Sequence, residues 1–231
     1  MLTPEEIKKK TGLYAADLVK HGMSFGLGTG STVYWLIKEL GKRVAEGLEI
    51  RAIPTSSQTA QLAREAGIPL IDLNDIDSDS IPLAIDGADE IDTNGQLIKG
   101  GGGALLQEKI VAAAASRFVI IADESKLVSR LGTFPLPVEV IPFGYKQVTR
   151  RILDSGLCQE VNLREKNGQP FITDHHHYIL DCKFEVIEHP LFINAALENI
   201  AGVVETGLFL NMASQAIIGH EDGEIEVIRF T

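Results

Sequence analysis

The sequence predicts an α/β protein: a Rossmann-like, mostly parallel sheet flanked by helices, joined to a second, smaller α+β domain. Two observations carry this expectation. Up to about Leu131, short apolar runs with β-branched residues alternate with segments of helical spacing, and glycine turns punctuate them, the pattern of strand–helix–strand units. After Leu131 the pattern changes to a proline-rich strand, a helix, paired strands about Asn167-Gly168 and another helix, which is hairpin chemistry. The expected partition is residues 1–131 plus 207–231 for the larger domain and 132–206 for the smaller.

Thr3-Pro4-Glu5-Glu6 supplies an N-cap, a proline suited to the first helical position and a glutamate that completes a capping box, so a helix is expected from Pro4 to about Lys20. Met23 to Leu27 reads as a strand feeding Gly28-Thr29-Gly30-Ser31-Thr32. Val33, Leu36, Ile37 and Leu40 then give Ser31 to Ala45 helical spacing. This turn contains neither GxGxxG nor GxxxxGK[ST], so dinucleotide and Walker-type readings fail. What is left is a small-residue loop with hydroxyls at a helix N-terminus, suited to a single phosphate or a sugar hydroxyl. The plainer alternative is an ordinary turn with Ser or Thr as N-cap. Glu49 to Pro54 reads as a second strand, Thr55-Ser56 as the cap of a helix through Ala66 to Gly67, and Ile68 to Leu73 as a third strand. Asp72, Asp75, Asp77 and Asp79 fall in a Ser/Asp/Asn loop expected to be solvated.

The stretch from Ile81 to Lys109 is where chemistry concentrates. Ile81 to Ile85 reads as a buried strand that stops at Asp86-Gly87-Ala88-Asp89, so both aspartates sit at its carboxyl end, the edge where open α/β sheets bind ligands. Asn94-Gly95 is a two-residue hairpin signal that returns Lys99 towards the same edge. Gly100 to Gly103 suit neither helix nor strand, but bare backbone allows close approach of a ligand and can aim N–H groups at an anion. Ala104 to Ala115 is then a helix of small and apolar residues in which Glu108 stands out. Phe118 to Ala122 is a further strand delivering Asp123, Glu124 and Lys126 to that edge, with Lys126 as a second cation for the site.

The chain has 231 residues, 45% of them hydrophobic, enough for a substantial core. Its net charge of −11 argues against a nucleic-acid or anionic-membrane partner, which would need a basic face. No basic segment leads an apolar one and no apolar stretch approaches the ~20 residues of a membrane span, so a cytoplasmic protein is expected. Thiols are then expected to stay reduced, and the alternation of Leu180, Cys182, Phe184 and Val186 makes Cys182 a core-facing strand residue. His175, His176 and His177 are adjacent and would point to alternate faces, a poor chelate, so a polar turn and no metal are expected.

AIDGADEID followed by KGGGGALLQEK resembles ribose-5-phosphate isomerase of the A type. GLGTGSTV at Gly26 to Val33, ADESK at Ala122 to Lys126, LGTFPLPVEVIPF at Leu131 to Phe143 and AGVVETGLF at Ala201 to Phe209 fit the same pattern, in order and over almost the whole chain. The resemblance implies interconversion of D-ribose 5-phosphate and D-ribulose 5-phosphate through an enediolate in the non-oxidative pentose phosphate pathway, without cofactor. It also implies a homodimer or larger oligomer. It makes Glu108 the base and puts Asp86, Asp89 and Lys99 around the sugar. Thr29, Gly30, Ser31, Thr32, Gly87, Ala88, Gly100, Gly101, Gly102 and Lys126 match its substrate-binding positions. Which carboxylate opens the sugar ring, and which of Thr29 to Thr32 and Lys126 takes phosphate, stays open. A carboxylate suits the base because one group must take a proton from one carbon and return it to the next. Two other classes compete. A phosphosugar-binding regulator would need a basic helix-turn-helix segment, which is missing before Met23, and an acyl or CoA transferase with Glu108 as nucleophile would leave Asp86, Asp89 and Lys99 without a role.

Overall fold

The computed structural model describes residues 1–76 and 81–230, in two compact units. The first comprises Met1–Ala88, Gln107–Leu127 and Met212–Thr231, and the second Asp89–Leu106 and Val128–Asn211. The units are cut elsewhere than the expected 132–206 boundary, because the Leu97–Ile98 strand pairs with Glu90–Ile91 on one side and Leu208–Phe209 on the other. Of the solvated-loop residues, Asp77 and Asp79 lie outside the described residues.

In the first unit six strands form one sheet, ordered Ile225–Arg229, Gln215–Gly219, Phe118–Asp123, Ala84–Asp86, Ser24–Leu27, Arg51–Pro54. All neighbours are parallel except the antiparallel edge strand Ile225–Arg229. The central strands are apolar on both faces, as the near-continuous burial of Phe118–Asp123 shows. Phe25, Leu27, Ile85, Val119, Ile121 and Ile217 form one core with the helical residues Val33, Leu36, Ile37 and Leu40.

The first helix has the expected capping box at Thr3 and Glu6 but runs only Pro4–Ala16. It stops short of Lys20 because the Asp17 N–H closes the last turn and Gly22, at φ +79°, turns the chain towards the first strand. The Ser31–Ala45 helix has the expected bounds, and Ser56 caps Ser57–Glu65 through its hydroxyl. The expected strand at Ile68 to Leu73 is reduced to one bridge, Ala52 with Leu70. Asp72 ends it, since its carboxylate takes the Asn74 N–H at 2.8 Å and folds Leu73–Asp75 into a 3₁₀ turn.

The second unit is antiparallel. Its four-stranded sheet is ordered Val203–Thr206, Leu136–Val140, Tyr178–Lys183, Glu160–Leu163, and its core includes Leu136, Val138, Val140, Ile152, Leu180, Cys182 and Leu197. Asn167 and Gly168, both with positive φ, turn the Glu165–Lys166/Gln169–Pro170 ribbon as a two-residue hairpin. The Asn94-Gly95 hairpin forms but is longer than two residues. Asp92 N–H pairs with the Gln96 carbonyl at 3.0 Å, Gly95 takes φ +75°, and the Asp92 carboxylate binds the amides of Asn94 and Gln96, each at 2.8 Å. Cys182 is fully buried, whereas Val186 leaves the alternation and is exposed. Hydrogen bonding to the Cys158 thiol, and then burial, pushes the Cys182 thiol well up.

Candidate active site

The carboxyl ends of three adjacent parallel strands of the first unit, Leu27, Asp86 and Asp123, share one edge of the sheet. The strand order reverses between Ser24–Leu27 and Ala84–Asp86, and that is where an open α/β sheet leaves a crevice for a ligand. Asp86 stands at this point, 2% exposed. Its Oδ1 accepts the Thr29 N–H at 2.9 Å and the Gly87 N–H at 2.7 Å, so one carboxylate oxygen ties together the turns that follow two neighbouring strands. The fit is close: a Cβ on Gly28 would fall 2.2 Å from that oxygen.

Beside it the Thr29 hydroxyl sits among those of Thr55 at 2.9 Å, Ser56 at 2.8 Å and Thr59 at 3.0 Å, and Thr59 donates to the Gly28 carbonyl at 2.8 Å. Thr29 therefore spends its side chain on holding the turn. Gly30, at φ +125°, is the N-cap of the Ser31–Ala45 helix with no side-chain hydrogen bond to that end. Ser31 there is exposed and Thr32 buried. Lys126 closes the 3₁₀ turn Glu124–Lys126, which the Asp123 carboxylate caps through the Ser125 N–H at 3.1 Å. Glu124 is pinned in turn. Its carboxylate accepts the Glu221 N–H at 2.8 Å and bonds His220 Nδ1 at 2.8 Å, while His220 Nε2 bonds Glu226 at 3.0 Å. The Glu221 amide and the His220 ring hold the Glu124 carboxyl below the ordinary range, and Glu124, then Glu226, raise His220.

Glu108 is 4% exposed in the first turn of the Leu105–Ala113 helix. That helix lies close to the Ser24–Leu27 strand, since a Cβ on Gly26 would meet Val111 Cγ1 at 2.5 Å. Gln107, next to Glu108, donates to the Pro54 carbonyl at 2.9 Å and fixes the helix start to the end of another strand.

In the second unit Lys99 follows directly from the Leu97–Ile98 strand and is 2% exposed. Its N–H donates to the Gly207 carbonyl at 2.9 Å, and its ammonium lies 5.3 Å from the centre of the Phe209 ring, within range of a cation–π interaction. Asp89 accepts the Gly101 N–H at 2.7 Å, so that amide is directed to a protein carboxylate and not outwards. Gly102 is exposed. Gly103, at φ +83°, donates its N–H to the Gly100 carbonyl at 2.9 Å and lies against Phe171, whose ring a Cβ would meet at 2.4 Å.

Sequence reasoning missed Arg164. Its Nη1 donates to the carbonyls of Gly100 at 2.8 Å and Gly101 at 3.1 Å, and its Nε and Nη2 grip Asp181. No local pattern marks it. Gly28 carried a signal that went unused, a glycine directly past a buried strand. His175 and His176 lie in a polar turn as expected, and His177 Nδ1 bonds the buried Glu139 at 3.0 Å. Among the described residues, no three His, Cys, Asp or Glu are grouped so as to hold a metal ion.

A family model described as ribose 5-phosphate isomerase A (phosphoriboisomerase A) matches residues 51–223. The chain is 60% identical over 218 residues to ribose-5-phosphate isomerase A of Bacillus cereus (strain ATCC 10987 / NRS 248), covering 94% of this chain and 97% of that one. Among solved structures it matches ribose 5-phosphate isomerase A from Methanocaldococcus jannaschii at TM-score 0.91 and 40% identity, over 98% of this chain and 100% of that one. It also matches a D-ribose-5-phosphate isomerase in complex with phospho-erythronic acid at TM-score 0.93 and 38% identity, over 99% and 100% of the two chains.

Proposed function

The chain belongs to the ribose 5-phosphate isomerase A family, and from that premise we propose that it interconverts D-ribose 5-phosphate and D-ribulose 5-phosphate through an enediolate with Glu108 as the base. The observation that carries the mechanism is the burial of Glu108, a carboxylate 4% exposed in the first turn of the Leu105–Ala113 helix. A carboxylate shielded from bulk water keeps its oxygens for the proton it must move, instead of spending them on solvent.

In this reading Glu108 takes the C2 proton of the open-chain aldose and returns it to C1. The oxygens that gain charge are stabilised by the Lys99 ammonium and a glycine-loop amide. Asp86 and Asp89 each accept backbone amides, at 2.9 Å from Thr29 and 2.7 Å from Gly101, and a carboxylate so held can still accept a sugar hydroxyl proton on its other oxygen. Either is suited to open the furanose. The N-terminus of the Ser31–Ala45 helix, with Ser31 and Thr32, and the Lys126 turn are the groups for the phosphate. A relative that holds phospho-erythronic acid supports this assignment of charge, because an aldonic acid presents a planar carboxylate and a phosphate in one molecule.

The same reading takes the enzyme as a cytoplasmic homodimer or larger assembly in the pentose phosphate pathway, acting without metal or cofactor. No helix among the described residues is long and apolar enough to cross a membrane. Ribulose 5-phosphate formation in a coupled assay, with phosphate-free ribose as control, tests the activity. Turnover of neither compound, or of both equally, would overturn the reading.

A further inference from the structure

We propose that Arg164 and Asp181 are positioning residues for this reaction, clamping two successive peptide planes of the glycine loop so that the Gly102 amide is the one presented to the developing oxyanion. The proposal rests on the reading above, in which a glycine-loop amide stabilises the enediolate.

A run of four glycines is a poor place to keep a donor. Each residue is free of Cβ restraint, so an unsupported loop would spread over many backbone conformations and aim its amides in many directions. Arg164 removes that freedom from one side. Its backbone is anchored, with its N–H on the Ile179 carbonyl and its carbonyl taking the Phe171 N–H, both at 2.8 Å. Its guanidinium is oriented by Asp181, which accepts from Nε at 2.9 Å and also from Nη2, a planar two-point grip. Asp181 itself is rigid, on a strand paired on both sides, opposite Pro137 and Asn162. Only Nη1 is left over, and it reaches the carbonyls of both Gly100 and Gly101.

Peptide planarity turns these contacts into directions. In a trans peptide the C=O and the following N–H point opposite ways. The plane between Gly100 and Gly101 is held at both ends, its carbonyl by Arg164 and its N–H by Asp89 at 2.7 Å. The plane between Gly101 and Gly102 has its carbonyl on Arg164, so the Gly102 N–H points away from the guanidinium, at an exposed residue. The Gly103 N–H is taken by the Gly100 carbonyl. Among these three amides Gly102 is the outward donor, and a charged donor on the Gly101 carbonyl of the same peptide polarises it and strengthens the N–H. Asp181 offsets the Arg164 charge, so the pair contributes direction more than field, and its loss falls on the chemical step rather than on substrate capture.

Arg164→Ala, Arg164→Lys and the near-isosteric Asp181→Asn test this in the full chain. Arg164→Ala is expected to lower kcat by about 10²-fold, the cost of misplacing a catalytic donor by an ångström, with KM close to parental. Arg164→Lys should not restore it, since an ammonium cannot grip Asp181 in a plane and hold two carbonyls as well. Added guanidinium at millimolar concentration should partly restore Arg164→Ala. Independently of turnover, the Gly101 amide should exchange with solvent faster in Arg164→Ala and Asp181→Asn than in the parent. Parental kcat in Arg164→Ala, a defect confined to KM, or unchanged Gly101 exchange in both variants would overturn the clamp. A parent without isomerase activity would instead overturn the proposed function and with it the catalytic role of the pair, while Gly101 exchange still decides whether the clamp holds the loop.

Discussion

Asp86 accepts the backbone amide of Thr29 at 2.9 Å, joining the turns that follow two neighbouring parallel strands, and only a glycine at position 28 leaves it room to do so. Adding a methyl group there does not strain the Gly28 backbone. It forces both the carboxylate and the Asp86 backbone aside, because the added carbon would fall 2.2 Å from Oδ1 and 2.5 Å from the Asp86 Cα. Gly28→Ala is therefore expected to cost about 1–3 kcal/mol of stability, as overpacking does. It should also cost roughly 10²-fold in kcat/KM through the misplaced carboxylate. Thermal melts and steady-state kinetics on the same preparation separate the two effects, and parental kinetics would show that the position of Asp86 does not matter to the reaction.

Glu108→Gln keeps the size and hydrogen-bonding capacity of the side chain but cannot take a proton from carbon. Turnover is expected to fall by roughly 10²–10⁴-fold, the range for a positioned base, with little change in substrate affinity or folding. Exchange of the C2 proton of ribose 5-phosphate with deuterated solvent should fail as well, since exchange needs the enediolate even when no product leaves. Near-normal exchange would move the base to Asp86 or Asp89.

His220 ties the Lys126 turn to the sheet edge through Glu124, and the two groups bracket a pH window. The folded pKa of His220 lies above the ordinary imidazole value of 6.5, so its stabilisation is complete below about that pH and is lost as pH rises through the folded value. Glu124 is lowered from 4.5, so its share is present above that value and lost as pH falls through the folded one. The melting-temperature difference between the parent and His220→Gln should be largest between those two limits and shrink on the alkaline side. A difference that grows with alkalinity would reverse the assignment.

Metal dependence is a simpler matter. With no grouped ligands among the described residues, exhaustive dialysis against EDTA should leave turnover unchanged. Loss of activity that a divalent ion restores would contradict this.

What could be read from the sequence was local. The Pro4–Ala16 and Ser31–Ala45 helices announce themselves through a capping box and apolar spacing, and Asp86 and Asp123 through their place at the end of apolar runs. The Ile68 to Leu73 strand failed because the Asp72 side chain takes the Asn74 amide and turns the chain away from a sheet partner. The Asn94-Gly95 hairpin was found but not its length, since the Asp92 carboxylate enlarges the loop by binding two amides within it. Arg164 was invisible for the opposite reason. Its partners, Gly100, Gly101 and Asp181, are remote in sequence, and only the folded second unit gives the residue a role.

Lys99 offers the last test. A lysine 2% exposed over the Phe209 ring carries its charge where hydration is largely stripped away, and there a cation–π contact is worth up to about 2 kcal/mol. The ring's share is small beside the cost of desolvating an ammonium, so such a residue is kept for its charge, not for stability. Lys99→Met retains the length and the contact with Phe209 and removes the charge. Its melting temperature should match or exceed that of the parent while kcat falls by roughly 10²–10³-fold, the loss seen when one oxyanion donor is removed. Phe209→Leu should keep most of that activity, because the ring steers the ammonium without donating to the substrate. Lys99→Met with parental turnover would leave the oxyanion to the glycine loop alone, and a sharp fall in its melting temperature would make Lys99 a structural residue.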